Sequence, residues 1–381
     1  MAVDLELICL VAIIAAISLL WIIYIRKKEG VDGKKTIRSR KRRLLAVLSM
    51  GLPAVLLIFI ISLAYGPGGS MSVSETFSTL FSAIGKHGTG LTNKEIFVYY
   101  QRLPRAMGAL AVGIGLATAG VMYQAIIRNP LVDPYITGVS SGAGLAAITG
   151  IIMGSSIGFM SGSVFMVPVM AIIGGLAAFG ATMLIAEKSG GSSVNYVLGG
   201  VIIGFALSAV QTIVLTFAGD NLHGALFWLF GSFTRLTWEN IWFLFIPALG
   251  ISFVSLIWAR DLNLVLLGEE QAKQMGMNVR RFNIIIMVTA SVLTAVCVAF
   301  VGIIGFVGLV VPHVCRMILG GDHRFVIPAS IVLGGILMLV TDFIARMIYI
   351  PFELPIGAIT ALIGAPIFAF LLMKKGRMYD G

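Results

Sequence analysis

Arg128-Asn129-Pro130-Leu131-Val132-Asp133-Pro134-Tyr135, followed by Gly138-Val139-Ser140-Ser141-Gly142-Ala143-Gly144, is the stretch on which the fold turns. Each proline removes an N–H and pushes its predecessor towards extended backbone, so neither belongs inside a regular helix. Apolar sequence long enough to cross a bilayer lies on both sides. Residues 129–134 therefore form a turn at a membrane face between two spanning helices, with Asn129, Pro130 and Pro134 as its structural residues.

Composition leads to the same class. Hydrophobic residues make up 58% of the 381-residue chain and charged residues 12%, with a mean hydropathy of +1.00. That balance belongs to an all-α polytopic membrane protein and excludes an ordinary soluble domain. The 45 glycines suit helices that approach closely in lipid. Cys9, Cys297 and Cys315 fall in apolar runs without metal-ligand spacing, so they read as small packing residues, with neither disulfide nor metal site.

The net charge of +10 is concentrated. Residues 26–43 hold ten Lys or Arg against Glu29 and Asp32. A basic loop between two apolar runs is a positive-inside signal that can touch membrane lipid, and it does not make a nucleic-acid surface. Apolar runs at 5–25, 44–64, 106–127, 135–152, 164–186, 194–218, 239–259, 282–301, 304–319, 326–346 and 356–373 predict about eleven spans. The run at 5–25 precedes its basic cluster and has no small-residue cleavage site after it, unlike a signal peptide. Between spans, a short helix is expected at 72–84, with Ser72 as cap and Glu75 completing a capping box, and another at 224–231.

No Gly-x4-Gly-Lys-Ser/Thr loop, His-Glu-x-x-His pair or Gly-x-Ser-x-Gly elbow occurs, so the chain shows no phosphate cradle and no catalytic residue. His313 after Pro312 reads as a structural residue at a helix break, with a proton relay as the other reading. Asp342 and Arg346 share a helix face and are expected to pair or to snorkel. Gly200, Gly204 and Ser208 form a small-residue face that either packs closely or borders a substrate path. The spans hold no chain of buried acids of the kind that proton- or sodium-coupled carriers use. Gly120-x3-Gln124 and Gly308-x3-Pro312 echo each other weakly across the chain.

Together, Arg102-Leu-Pro-Arg105, Gly120-x3-Gln124, Arg128-Asn-Pro-Leu131, Pro134-x3-Gly138-Val-Ser140, Gly268 to Gly276, Gly305-Phe-x-Gly-Leu-x-x-Pro-His313-x-x-Arg316, Asp322-His-Arg324 and Glu353-Leu-Pro-Ile-Gly357 resemble the FecCD family. Its members are membrane-spanning permease subunits of ABC importers for iron–siderophore complexes, haem and cobalamin. The resemblance covers roughly residues 44–377. It divides the chain into a permease domain at 44–381 of ten-span type and an additional helix and basic loop at 1–43.

The resemblance implies a multi-pass protein of the cytoplasmic membrane that pairs with a second copy of itself. Two ATP-binding subunits, which carry ATP and Mg, would lie beneath, and an extracytoplasmic substrate-binding protein above. The chain itself would hold no cofactor and no ATPase site. The cargo would be a metal chelate, with ferric siderophore first, then cobalamin, then haem. Gly268, Glu269, Glu270, Ala272 and Gly276 resemble the segment that couples to the ATPase, with a plain solvated loop as the other reading. Ser192 and Ser193 match the inner gate of the similar cobalamin importer; here too a plain loop remains open. Arg102, Arg105 and Arg346 fall at the outer face, against the positive-inside rule. In that importer, arginines at matching positions meet acidic residues of the binding protein, while snorkelling is the alternative. A self-sufficient secondary transporter is the competing class, and neighbouring genes for an ATPase and a binding protein would separate the two.

The alternation of spans predicts that residues 26–43, 260–281 and 374–381 share the cytoplasmic side. Cysteines placed at Ser39 and Asn278 should stay unlabelled when intact cells meet a membrane-impermeant reagent; labelling at either position would refute the scheme.

Overall fold

The computed structural model describes residues 37–67, 69–86, 90–153, 163–350 and 352–376. The expected span at 5–25 and most of the basic loop after it lie outside these residues. The described chain is helical, with no strand among the described residues. In order the helices are α1 Ile37–Ala64, α2 Val73–Gly85, α3 Asn93–Ile126, α4 Val139–Met153, α5 Met166–Lys188, α6 Ser193–Thr216 and α7 Leu222–Leu229. There follow α8 Ile241–Val254, α9 Ala259–Leu266, α10 Glu269–Gln274, α11 Val279–Val301, α12 Val307–Leu319, α13 His323–Met347 and α14 Ile356–Gly376.

Six of these, α1, α3, α5, α6, α11 and α13, are long and apolar enough to cross a membrane. A seventh candidate is α8 with α9, bent by 60° at their break. The other expected spans appear as the shorter apolar helices α4, α12 and α14. Two of them begin late because the chain before them is unwound: α4 waits for left-handed Gly138 (φ 80°), and α12 follows Gly302 (φ 77°) and Phe306 (φ 68°).

Two expectations need adjusting. The first described helix begins at Ile37, seven residues earlier than the apolar run, so part of the basic loop is helical. Arg and Lys are good helix formers, and these turns have a partner, because Arg43 Nη1 donates to Ile318 O at 3.1 Å near the C-terminus of α12. A cation there meets the negative end of the helix dipole. Ser72 does cap α2, accepting Glu75 N–H at 3.1 Å. Glu75 does not close the box, however, and pairs with Lys94 at 2.6 Å. The reciprocal capping box forms instead at Thr92 and Glu95, at the start of α3.

The described chain falls into two compact units. The first takes the residues up to Gly115 with Phe233–Ala259 and Val314–Leu354; the second takes Leu116–Ser232, Arg260–His313 and the residues from Pro355. In the first, α3 meets α13 at Gly113, where a Cβ would lie 2.1 Å from the carbonyl oxygen of Gly334. In the second, a Cβ on Gly120 would lie 1.9 Å from Gly308 O, and one on Gly142 2.3 Å from Gly174 O. Backbones this close exclude any side chain.

The Gly120–Gly308 crossing also resolves a polar problem. Pro312 has no N–H to give the carbonyl four residues back, so Gly308 O loses its helical donor. Gln124 Nε2 supplies one at 3.1 Å and also bonds Val132 O at 2.9 Å. The two echoing motifs are therefore two sides of one contact. Gln124→Leu should lower stability in detergent by about 1–3 kcal/mol, the usual cost of stranding a buried polar group. Pro312→Ala, which restores the missing N–H, should recover part of that loss in the double variant, as read by thermal unfolding.

Candidate functional site

Two clusters of sequence-predicted residues are assembled, one in each unit. In the first unit, residues Phe97–Arg102 of α3 are wound as a π-helix, a local underwinding frequent at functional sites. Trp238 Nε1 donates to the Tyr99 carbonyl there at 2.8 Å. At the end of the π-turn, Arg102 reaches the broken end of α1, donating to Leu63 O at 2.9 Å, Ala64 O at 3.0 Å, Gly66 O at 3.0 Å, Pro67 O at 3.2 Å and Gly69 O at 2.5 Å. A helix leaves its last carbonyls without partners, and one guanidinium supplies them here. Arg346 adds Ser62 O at 2.8 Å and the Ser62 hydroxyl.

Arg105 carries the ion pairs. Its Nε is 2.7 Å from Asp342 Oδ1, and its Nη1 is 2.6 and 2.8 Å from the two oxygens of Glu353. Arg346 Nε lies 3.3 Å from the other Asp342 oxygen, the pairing the sequence spacing foretold. Three guanidiniums thus face two carboxylates beneath a cavity of about 260 Å³ that Tyr100, Gln101, Thr234 and Thr237 also line.

The three arginines expected at a docking face are satisfied within this chain. Arg102, Arg105 and Arg346 are only 3%, 8% and 2% exposed, and their hydrogen bonds go to this chain's own acceptors. They line the cavity without being freely exposed charges. These three instead hold the ends of α1, α3 and α13 together, and the acids that they engage, Asp342 and Glu353, were only partly foreseen: Asp342 by its spacing from Arg346, Glu353 by no local signal.

In the second unit the proline turn is built as expected. Arg128 is left-handed (φ 55°), Asn129 Oδ1 accepts Leu131 N–H at 2.9 Å, and Asp133 Oδ1 accepts Tyr135 N–H at 2.9 Å. Pro134 opens a short 3-10 turn that ends at Gly138. Tyr135 O–H then reaches the unwound backbone, donating to Ile304 O at 2.9 Å. His313 is buried, its ring 6.3 Å edge-on from that of Phe368.

Ser192 caps α6 by accepting Asn195 N–H at 3.3 Å, and Ser193 Oγ donates to Ile126 O at 3.4 Å. Ser192 ends the short loop between α5 and α6, and Ser193 is the first residue of α6. The small-residue face of α6 lies against the turn before α4 and the first turn of α4. A Cβ on Gly200 would lie 1.9 Å from Ile136 O and one on Gly204 3.7 Å from Ser141 Oγ, while Ser208 Oγ bonds Ser141 Oγ at 3.3 Å. Gly200 is thus a packing residue, while Gly204 and Ser208 are half-buried beside Ser141. The exposed residues of α6 are large and apolar, among them Leu198, Ile202, Phe205 and Ile213.

Gly268 (φ 122°) precedes α10, Glu269 and Glu270 fill its first turn, and Ala272 is buried. Gly276 N–H bonds Lys273 O at 2.9 Å and Met277 N–H bonds Ala272 O at 3.1 Å. This is a Schellman ending, with Gly276 left-handed at φ 87°. Glu270, bonded to Lys273 Nζ at 2.9 Å, raises that ammonium's pKa above its ordinary value. Arg128 holds Glu269 at 3.2 Å, so the proline turn and α10 touch.

The FecCD transport family model matches residues 54–374. This chain belongs to that family. Among FecCD relatives, the Fe(3+)-citrate import system permease protein YfmE of Bacillus subtilis is 37% identical over 90% of this chain and 99% of its own length. The cobalamin import system permease protein BtuC of Halobacterium salinarum is also 37% identical, over 74% of each chain. A solved structure of a metal-chelate type ABC transporter in an inward-facing conformation is 31% identical and superposes with a TM-score of 0.73, covering 86% of this chain and 99% of that one. With FecCD membership and its long apolar helices, the chain is a multi-pass protein of the cell membrane with a transport role.

Removing the charge at the most buried acid should separate the cluster's members. Asp342→Asn should destabilise the protein by about 3–5 kcal/mol, since it leaves buried guanidinium charge unpaired. Glu353, which keeps 20% of its side chain exposed, should cost less as Glu353→Gln. Thermal unfolding in detergent ranks them; equal losses would contradict this reading of the cluster.

Proposed function

We propose that this chain is the permease subunit of an ATP-driven ABC importer for a bulky metal chelate. It works as a pair of copies, with two ATP-binding subunits at the α10 face and a substrate-binding protein at the opposite face. The observation that carries the reading is the α10 corner: a six-residue helix opened by a positive-φ glycine and closed by a left-handed one, with exposed Glu270 and Lys273 and a buried Ala272. A short rigid element of this kind offers a defined surface to a partner, and ATP and Mg would be held by that partner. The large apolar residues of α6 suit contact with the second copy or with the path between copies.

The docking proposal changes form. The arginine cluster acts indirectly, with one guanidinium in excess of its carboxylates. It fixes the shape of the Tyr100–Thr234 cavity and gives it a positive potential that favours an acidic partner surface. Ferric siderophore remains the first choice of cargo, then cobalamin, then haem. Relatives named for ferric citrate and for cobalamin share the same 37% identity, so overall similarity does not choose between them.

The test is reconstitution with the cognate ATP-binding subunits and binding protein. The purified chain alone should neither bind nor hydrolyse ATP. Gly276→Val meets open space, with no atom within 4 Å of its Cβ position, so its whole effect is backbone strain in a left-handed turn. It should leave the chain in the membrane and reduce transport at least roughly tenfold, as one to a few kcal/mol of strain would displace the corner. Normal transport by this variant would end the coupling assignment.

A further inference from the structure

The α5–α6 loop and the α10–α11 corner are joined through one side chain to which no role has yet been given. Glu187, next to last in α5, places Oε2 2.5 Å from Arg280 Nη2 and accepts the Tyr196 hydroxyl on Oε1. Tyr196 stands in the first turn of α6 and Arg280 in the first turn of α11. One carboxylate therefore ties three helix ends beside a cavity of about 400 Å³.

Both sides of this tie are stiff. The loop is closed by Gly191 N–H on Ala186 O at 2.9 Å, with Gly190 and Gly191 both left-handed, and Asn195 Nδ2 holds Ser189 O at 2.6 Å. Gly191 lies against the carboxylate itself, its Cβ position 3.5 Å from Glu187 Oε1. On the other side, α10 passes to α11 through the Gly276 turn and the Asn278 cap, whose Oδ1 accepts Arg281 N–H at 3.1 Å. A displacement of α10 thus reaches Arg280 with little slack. The pair itself is not deeply buried, for Arg280 is 79% exposed and Glu187 23%. Such a pair is weak enough to break and re-form.

We propose that Glu187 is a positioning residue: a latch that passes movement of the α10–α11 corner, through Arg280, to the loop ending in Ser192 and to Ser193 after it. The proposal rests on the reading that α10 meets the ATP-binding subunits. It makes the loop respond to the nucleotide state of those partners without touching nucleotide, cargo or partner.

The experiment uses the full complex with its ATP-binding subunits in lipid nanodiscs. Ser189, exposed and two residues beyond Glu187, is replaced by Cys in a chain carrying Cys9→Ser; Cys297 and Cys315 are buried. The rate of maleimide labelling is read with and without ATP and vanadate, beside ATP hydrolysis. The unaltered latch should show a nucleotide-dependent rate. Glu187→Gln and Arg280→Gln should each shrink that dependence roughly three- to thirtyfold, with hydrolysis retained. The double variant should lose no more than either single one, since both remove the same interaction, and Arg280→Lys should restore part of it. Should Glu187→Gln fail to assemble, exposed Arg280→Gln carries the same comparison. Labelling indifferent to nucleotide with the latch intact overturns the coupling reading itself. A nucleotide effect that persists in Arg280→Gln, or single losses that multiply in the double variant, overturns the latch alone.

Discussion

The carbonyl of Gly308 is the point on which the second unit is assembled. Pro312 takes away its helical donor, and the absence of a side chain at Gly120 lets α3 come near enough for Gln124 to replace it at 3.1 Å. In water such a carbonyl would find solvent; in hydrocarbon, every backbone polar group must be met from within the protein. The same demand explains the unwound chain after Val301. Ser232 N–H reaches Val301 O at 2.8 Å, and Ile356 and Gly357 N–H reach Gly231 and Phe230 O at 3.1 and 2.9 Å. Irregular backbone is tolerated here because other irregular backbone completes it.

The first unit meets the same demand with charge. The break at Tyr65-Gly66-Pro67 leaves the carbonyls at the end of α1 without partners, and Arg102 and Arg346 supply donors to seven oxygens of residues 62–69. Burying two guanidiniums for this purpose is costly unless their charge is balanced. Arg102 meets the negative end of a helix dipole, while Arg346 shares Asp342 with Arg105. The position of these arginines against the usual charge asymmetry of membrane proteins thus has a cause inside the fold.

Much of this was legible. The prolines at 130 and 134 announced the turn, the glycine spacing announced close helix contact, and Gly276 announced a left-handed angle. What escaped had no local signature. That Arg105 would find Glu353, 248 residues away, depends on tertiary packing. The small face at Gly200, Gly204 and Ser208 fits both close packing and a lined path, and only the position of Ile136 O shows that Gly200 packs. The three arginines were read as exposed because charge at a helix end usually is; the carbonyls that bury them are backbone groups, which sequence does not display. The start of α1 at Ile37 was missed because apolar pattern marks where a helix is inserted, whereas Arg43 has a helix end to bond.

The two kinds of contact differ in what they permit. Glycine crossings at Gly113, Gly120 and Gly142 place backbone against backbone at separations that exclude even a methyl group, and packed interiors of this density shift between discrete arrangements instead of deforming smoothly. In the second unit some helix ends are held otherwise, by ion pairs such as Arg128–Glu269 and Arg280–Glu187, whose members keep between 23% and 79% of their side chains exposed. Exposed pairs contribute about 1 kcal/mol or less, and so exchange partners readily. Movement in this protein is therefore expected where short loops and paired charges meet, at the α5–α6 and α10–α11 connections, while the glycine-packed interior of each unit keeps its form. A transporter needs that division, since a change at one end must be passed along helices that do not dissipate it by repacking.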